Sequence, residues 1–141
     1  MGGWITLSHQ DLPITLKIPH PTPQGYPVAV RERSSNTSYR IHLVSEGSSE
    51  VYFEVGQYND LELPQAVEAF VQDVSERIDG LQKSEPQETR LAGFHAYQFS
   101  IRWPGNERVI LFIEKEEALF RIIYDPASSI NHRILESFRF Y

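Results

Sequence analysis

Cysteine is absent from all 141 residues. Its absence excludes a disulfide framework, a thiolate metal site and a cysteine nucleophile, and it leaves the redox compartment undecided. Long apolar runs are missing as well. No window approaches the roughly 20 apolar residues that a membrane-spanning helix needs. The opening residues, MGGWITLSHQDLP, carry no basic n-region and no apolar stretch of signal length, so the expected location is cytoplasmic. Gly2 and Thr6 meet the loose myristoylation pattern with residues common enough to match by chance. Basic clusters are a third absence. Lysine and arginine never stand side by side, the net charge is −6 and the pI is near 5.3. An acidic surface repels phosphate backbones and anionic lipids, which argues against nucleic acid as a partner.

Catalytic motifs are lacking too. No GxSxG elbow, HxH or HExxH pair, GxGxxG turn or Walker loop occurs. The five histidines, His9, His20, His42, His95 and His132, fall in five separate segments without the spacing of a metal site. The acids concentrate on one side of a helical pattern and in the Glu114–Glu117 turn, where they look solvated rather than paired across a cleft. The sequence therefore predicts no catalytic residue, no cofactor and no metal.

What the chain does have is 40% hydrophobic and 12% aromatic residues, enough for one core at a length that buries roughly 70% of the extended surface. Leu12, Ile14, Leu16 and Ile18 alternate with polar neighbours and predict a half-buried strand, with Pro13 marking its start or an edge. Pro19, Pro21, Pro23 and Pro27 then predict a turn-rich connector. Residues 28–33 read as a short strand. Tyr39, Ile41 and Leu43, and then Val51, Phe53 and Val55, predict a hairpin around the polar EGSSE.

The period changes between Pro64 and Leu81. Val67, Phe70, Val71, Val74, Ile78 and Leu81 follow the spacing of one helix face, with Pro64 in the first turn and Gly80 as a left-handed stop. Residues 82–90 form a loop or weak strand. His95, Tyr97, Phe99, Ile101 and Trp103 share one face of the next strand, which ends at Pro104-Gly105-Asn106. Val109 to Ile113 is apolar on both faces, as a strand covered on two sides requires. Ala118, Phe120, Ile122 and Tyr124 form one more apolar face, and Asp125-Pro126 ends it. Ser128 or Ser129 can cap a last helix bearing Ile130, Ile134, Leu135 and Phe138. Arg102 and Arg121 fall opposite the main apolar faces and are expected in surface pairs of little weight. The predicted fold is a single α+β domain over residues 1–141, with a curved antiparallel sheet flanked by helices.

In the segments LPITLKIP, AVEAFVQDVSERI, AGFHAYQFSIRW, ALFRIIYDP and ILESFRF, the chain resembles the PsbP-like family across nearly its whole length. That family includes extrinsic proteins of photosystem II, a Ran-binding nuclear import factor and many small bacterial proteins without known activity. The resemblance implies an α/β/α sandwich and no reaction, because its motifs are packing signatures. Photosystem-associated members carry a leader and a basic docking surface. This chain opens without a leader and is acidic, which argues against a photosynthetic role.

The expected function is a non-catalytic protein-interaction or adaptor domain. Trp4, Tyr26, Tyr52, Tyr58 and Trp103 lie in or beside predicted loops and strand ends, and aromatics in such places are enriched at interface hot spots. Tyr52, Tyr58 and Trp103 are the candidate patch, its partner another protein or a second copy of the chain. The alternatives are a chaperone-like module shielding an apolar client segment, and a small-molecule or lipid-binding module with a pocket between helix and sheet. An open apolar groove favours the first and a closed cavity the second.

Overall fold

A computed structural model of the chain describes residues 3–8, 12–35, 38–58, 62–116 and 118–141. Its centre is β9 (Asn106–Lys115), in which all five residues from Val109 to Ile113 are buried. Such a run needs cover on both sides. On one side of it lies β8 (Phe94–Trp103), joined by the Pro104-Gly105 turn, where Gly105 takes φ +80°. On the other lies β10 (Ala118–Tyr124). The sheet continues through the hairpin of β4 (Ser38–Ser45) and β5 (Tyr52–Tyr58), with β5 against β10, and ends at β3 (Val28–Ser34) beside β4. At the far edge, β6 (Gln82–Lys83) and β7 (Gln87–Leu91) both pair with β8. All pairings are antiparallel, in the order β3-β4-β5-β10-β9-β8-β6.

The helix α1 (Leu63–Arg77) lies on one face. Its Ala66, Phe70 and Val74 pack with Phe99, Ile101, Ile110, Phe112, Leu119 and Ile123, all from β8, β9 and β10. Phe70 meets the rings of Phe99 and Phe112 edge-on at centroid distances of 6.1 and 6.3 Å. The helix stops at Arg77 with Ile78 already extended. Gly80, at φ +73°, therefore shapes the turn beyond the helix rather than its end. Ile78 and Leu81 still pack on this core from outside the helix.

The opposite face is covered by a second sheet rather than by helix alone. Here β2 (Ile14–His20) sits between β1 (Gly3–Ser8) and the two-residue β11 (Arg139–Phe140). Leu12, Ile14, Leu16 and Ile18 are buried against Leu43, Phe53, Val55, Leu111, Phe120 and Ile122 of the large sheet. The helix α2 (Ser129–Ser137) closes this core with Ile134 and Phe138. The architecture is α+β and mostly antiparallel sheet. Sequence reading expected one sheet, and the structure has two. Pro13 does precede the start of β2, yet β2 is central in its sheet. The closing SFRFY leaves the helix at Ser137 and becomes strand, and β1 had no alternation strong enough to announce it. No helix among the described residues is long and apolar enough to cross a membrane.

A buried amide fastens α2 to the sheet. Asn131 is fully buried; its Oδ1 accepts from the Tyr52 backbone N–H at 3.1 Å and its Nδ2 donates to the Asp125 carbonyl at 2.9 Å. Ser128 stands at the N-cap, but its hydroxyl donates to the Glu50 carbonyl at 2.6 Å instead of capping the helix.

Phe70→Ala removes a ring from the centre of the helix–sheet core and is expected to destabilise by roughly 3–5 kcal/mol. A urea titration showing a loss under about 1 kcal/mol contradicts this packing. Asn131→Ala leaves one part-buried donor and one part-buried acceptor unpaired and is expected to lose roughly 1–3 kcal/mol. A change within the scatter of surface substitutions in the same titration would show those two groups to be satisfied elsewhere.

Candidate functional site

One α-helix cannot cover eight strands. With α1 over β8 to β10, the same sheet face is left without helix over β3 to β5, and side chains that would otherwise be core become a surface. Register fixes which ones. On β5 they are Tyr52, Glu54, Gly56 and Tyr58; opposite Glu54 stands His42 and then Arg31, and opposite Gly56 stands Arg40 and then Arg33. From β10, Arg121 faces Gly56 in the same row.

Glu54 is the hub of this surface. Its Oε1 accepts from Arg121 Nη2 at 3.0 Å and lies 3.7 Å from Arg40 Nη1. Both Arg121 and Glu54 are 13% exposed, so the pair is shielded from solvent. Arg121 is thus no surface ion pair, as the sequence suggested. Its guanidinium also lies 5.0 Å from the Tyr58 ring and 5.1 Å from the Phe70 ring, bridging the helix core to the polar face. Arg102 does form the exposed pair expected, with Glu107 at 3.1 Å. Gly56 has a steric role: a Cβ there would meet Arg40 Cγ and Tyr58 Cε2, each at 3.1 Å.

At the other end of β5, Arg108 stacks on Tyr52 at 4.3 Å and approaches Trp103 at 5.6 Å, while pairing with Asp125 at 3.4 Å. The structure therefore gathers Tyr52 and Trp103 around one arginine. Tyr58 shares their face but stands six residues along β5 from Tyr52, beside a different arginine, roughly 20 Å away. All three rings are half-buried. Burial raises the Tyr58 pKa, with Glu54 adding to the effect and Arg121 and Arg40 opposing it, so the phenol stays protonated. Trp4 lies outside this group, under Arg133 at 4.3 Å, and Tyr26 is exposed near Gly47.

Along the opposite flank of α1 runs an open groove of about 750 Å³. Leu63, Pro64, Val67, Val71, Pro86 and Phe99 make its walls and floor. Glu68, Gln72, Lys83 and Tyr97 form its rim, with Lys83 Nζ 5.0 Å from the Phe99 ring. The edge strands here are short: β6 ends at Lys83, β7 begins at Gln87, and between them, among the described residues, Ser84 alone bonds the β8 margin, through both backbone groups of Ser100. The helical spacing had marked Val67 and Val71 as core. They are half-buried, and the groove accounts for the remainder of their surface.

Among the described residues, no group of three histidines or carboxylates is placed to hold a metal ion; His9 lies outside them. His132 bonds the Pro126 carbonyl at 2.9 Å, and His95 stands 3.8 Å from Glu88. No family model matches the chain, and no curated protein does. Among solved structures it is similar to a protein of unknown function, PA94, from Pseudomonas aeruginosa. The identity is 15% and the TM-score 0.40, over 93% of this chain and 89% of that one, and no conclusion about this chain rests on it.

His42 reports the charge of the uncovered face. Burial lowers its pKa, Arg31, Arg108 and Arg33 lower it further, and Glu54 opposes them. Its edge contact with Tyr52, at 4.6 Å, places the imidazole in the aromatic end of the patch. A histidine whose folded pKa lies below its unfolded value favours folding fully above the unfolded pKa. That contribution is lost as pH falls toward the folded pKa. Unfolding free energy should therefore decline on acidification from neutral pH to about pH 5, and His42→Gln should flatten part of that decline. Parallel pH profiles for the two proteins would remove His42 as the cause.

Proposed function

We propose that this chain is a non-catalytic protein-interaction module that seats an apolar segment of another protein between α1 and β8. The observation that carries the reading is the groove itself. An apolar floor inside a polar rim is the anatomy of a protein interface, and a helix face or extended segment is what such a trough accommodates. Its openness favours a chain over an enclosed small molecule, so the module reads as an adaptor or a shield for a client segment rather than a lipid or metabolite carrier. The order of elements supports the finer fold reading as a small PsbP-like domain: two strands, a proline-rich connector after the second, three more strands, the long helix, two short edge strands, the Gly93-Phe94 strand, two more strands, a short helix and a closing two-residue strand.

The test uses a short amphipathic peptide bearing leucine and phenylalanine on one face, and a control with those residues changed to serine. Nuclear magnetic resonance titration of the folded protein should move the amides of Leu63–Gln72, Lys83 and Phe99 with the first peptide and not the second. Val67→Asp and Val71→Asp should each weaken binding by roughly tenfold or more, and the melting temperature of each variant checks that it is folded. Shifts confined to other surfaces, or no binding by the wild-type protein, would overturn the reading.

A further inference from the structure

We propose that the edge strand β3 accepts an extended acidic segment of a partner protein as a ninth strand of the large sheet, its carboxylates set against Arg31 and Arg33. The proposal goes beyond the groove and concerns the opposite end of the sheet. Its first support is backbone geometry. Among the described residues β3 pairs only with β4. The hydrogen bonds Ser35 N–H to Ser38 carbonyl and Glu46 N–H to Pro27 carbonyl set the alternation of that ladder. The backbone groups of Val30 and Ser34 therefore point away from β4, toward the open edge, where strand addition takes place.

The second support is charge. Among the described residues, the helix-free part of this face and its border with α1 carry five guanidiniums, Arg31, Arg33 and Arg40 on β3 and β4 with Arg108 and Arg121 at the border, against two carboxylates, Glu54 and Asp125. This excess of positive charge stands in a chain whose net charge is −6. Arg40, Arg108 and Arg121 are engaged with those carboxylates. Arg31 and Arg33 are exposed and form no ion pair among the described residues. They stand two residues apart on one face, about 6.6 Å along the strand, which is the side-chain repeat of any extended chain laid beside them. A segment with acidic residues at alternate positions meets both guanidiniums in register while its backbone pairs with β3.

The same arrangement selects against other occupants. A second copy pairing antiparallel through β3 in the register centred on Glu32 would set Arg31 of one chain opposite Arg33 of the other on one face, and directly opposed like charges are destabilising. A long polyanion such as nucleic acid would extend past this patch onto an acidic surface.

The experiment offers the full chain a fluorescent peptide of alternating glutamate and threonine. A peptide with lysine for glutamate, single-stranded DNA and inorganic phosphate serve as comparators. The alternating acidic peptide should bind, weaken as salt rises, and slow hydrogen exchange of the Val30 and Ser34 amides. Arg31→Glu combined with Arg33→Glu should reduce affinity by roughly tenfold or more, while Val67→Asp in the groove leaves it unchanged. Both arginines are exposed, so the double variant should fold; its melting temperature checks this, and exchange at Val30 in the wild-type protein tests the site without any variant. Equal binding of DNA, or full competition by phosphate, would reduce the patch to a general anion surface and overturn the proposal. So would acidic-peptide binding without protection at Val30.

Discussion

The width of one helix against the width of the sheet governs the molecule. An α-helix with its side chains is about 10–12 Å across, and strands lie about 4.8 Å apart, so α1 can shelter only two or three strands. It lies over β8, β9 and β10, where Phe99, Ile101, Ile110, Phe112, Leu119 and Ile123 face it and nothing else would exclude water. Everything on the same face beyond its two flanks must cope with solvent. One flank does so incompletely, and the groove of Val67, Val71 and Phe99 results. The other changes composition from phenylalanine and isoleucine to arginine, tyrosine and histidine.

That change of composition is graded by the arginines. Arg121 lays its guanidinium against Phe70 on the core side and delivers its charge to Glu54 on the polar side. Arg108 does the same between the Tyr52 and Trp103 rings and Asp125. A planar, weakly hydrated cation suits this position because it stacks on an aromatic face and still donates in its own plane. Lysine, a compact and strongly hydrated charge, would not fill the same space.

The local pattern was highly legible. Alternation placed β2, β4, β5, β8 and β10, and the helical spacing placed α1 and its buried Phe70 and Val74, because side-chain period follows directly from backbone geometry. Pairing between distant segments was not legible. Arg139 meets Thr15 across 124 positions (139 − 15), and no periodicity in SFRFY or LPITLKI announces that contact. The second sheet was missed for this reason. Arg121 was misread because its apolar neighbours Leu119 and Ile123 made one face of β10 look secondary, when α1 buries it. Asn131 sits in the first turn of α2, where a polar residue reads as solvated, and only the sheet beneath explains its burial. For the candidate site, the aromatic residues were readable, but their arginine partners lie on other strands.

The uneven cover has an electrical consequence. The solvent side of α1 carries Glu68, Asp73 and Glu76 with Arg77 as its one cation, and Glu62 and Asp79 stand just outside its ends. At the opposite margin of the same face stand Arg31, Arg33 and Arg40. On this one face of the sheet, the helix and the β3 margin therefore carry opposite charge. A negatively charged body approaching from solution feels repulsion over the helix and attraction at one margin, so it is turned before contact is made. Orientation at encounter raises association rates and narrows the set of productive collisions without adding a single contact to the bound state.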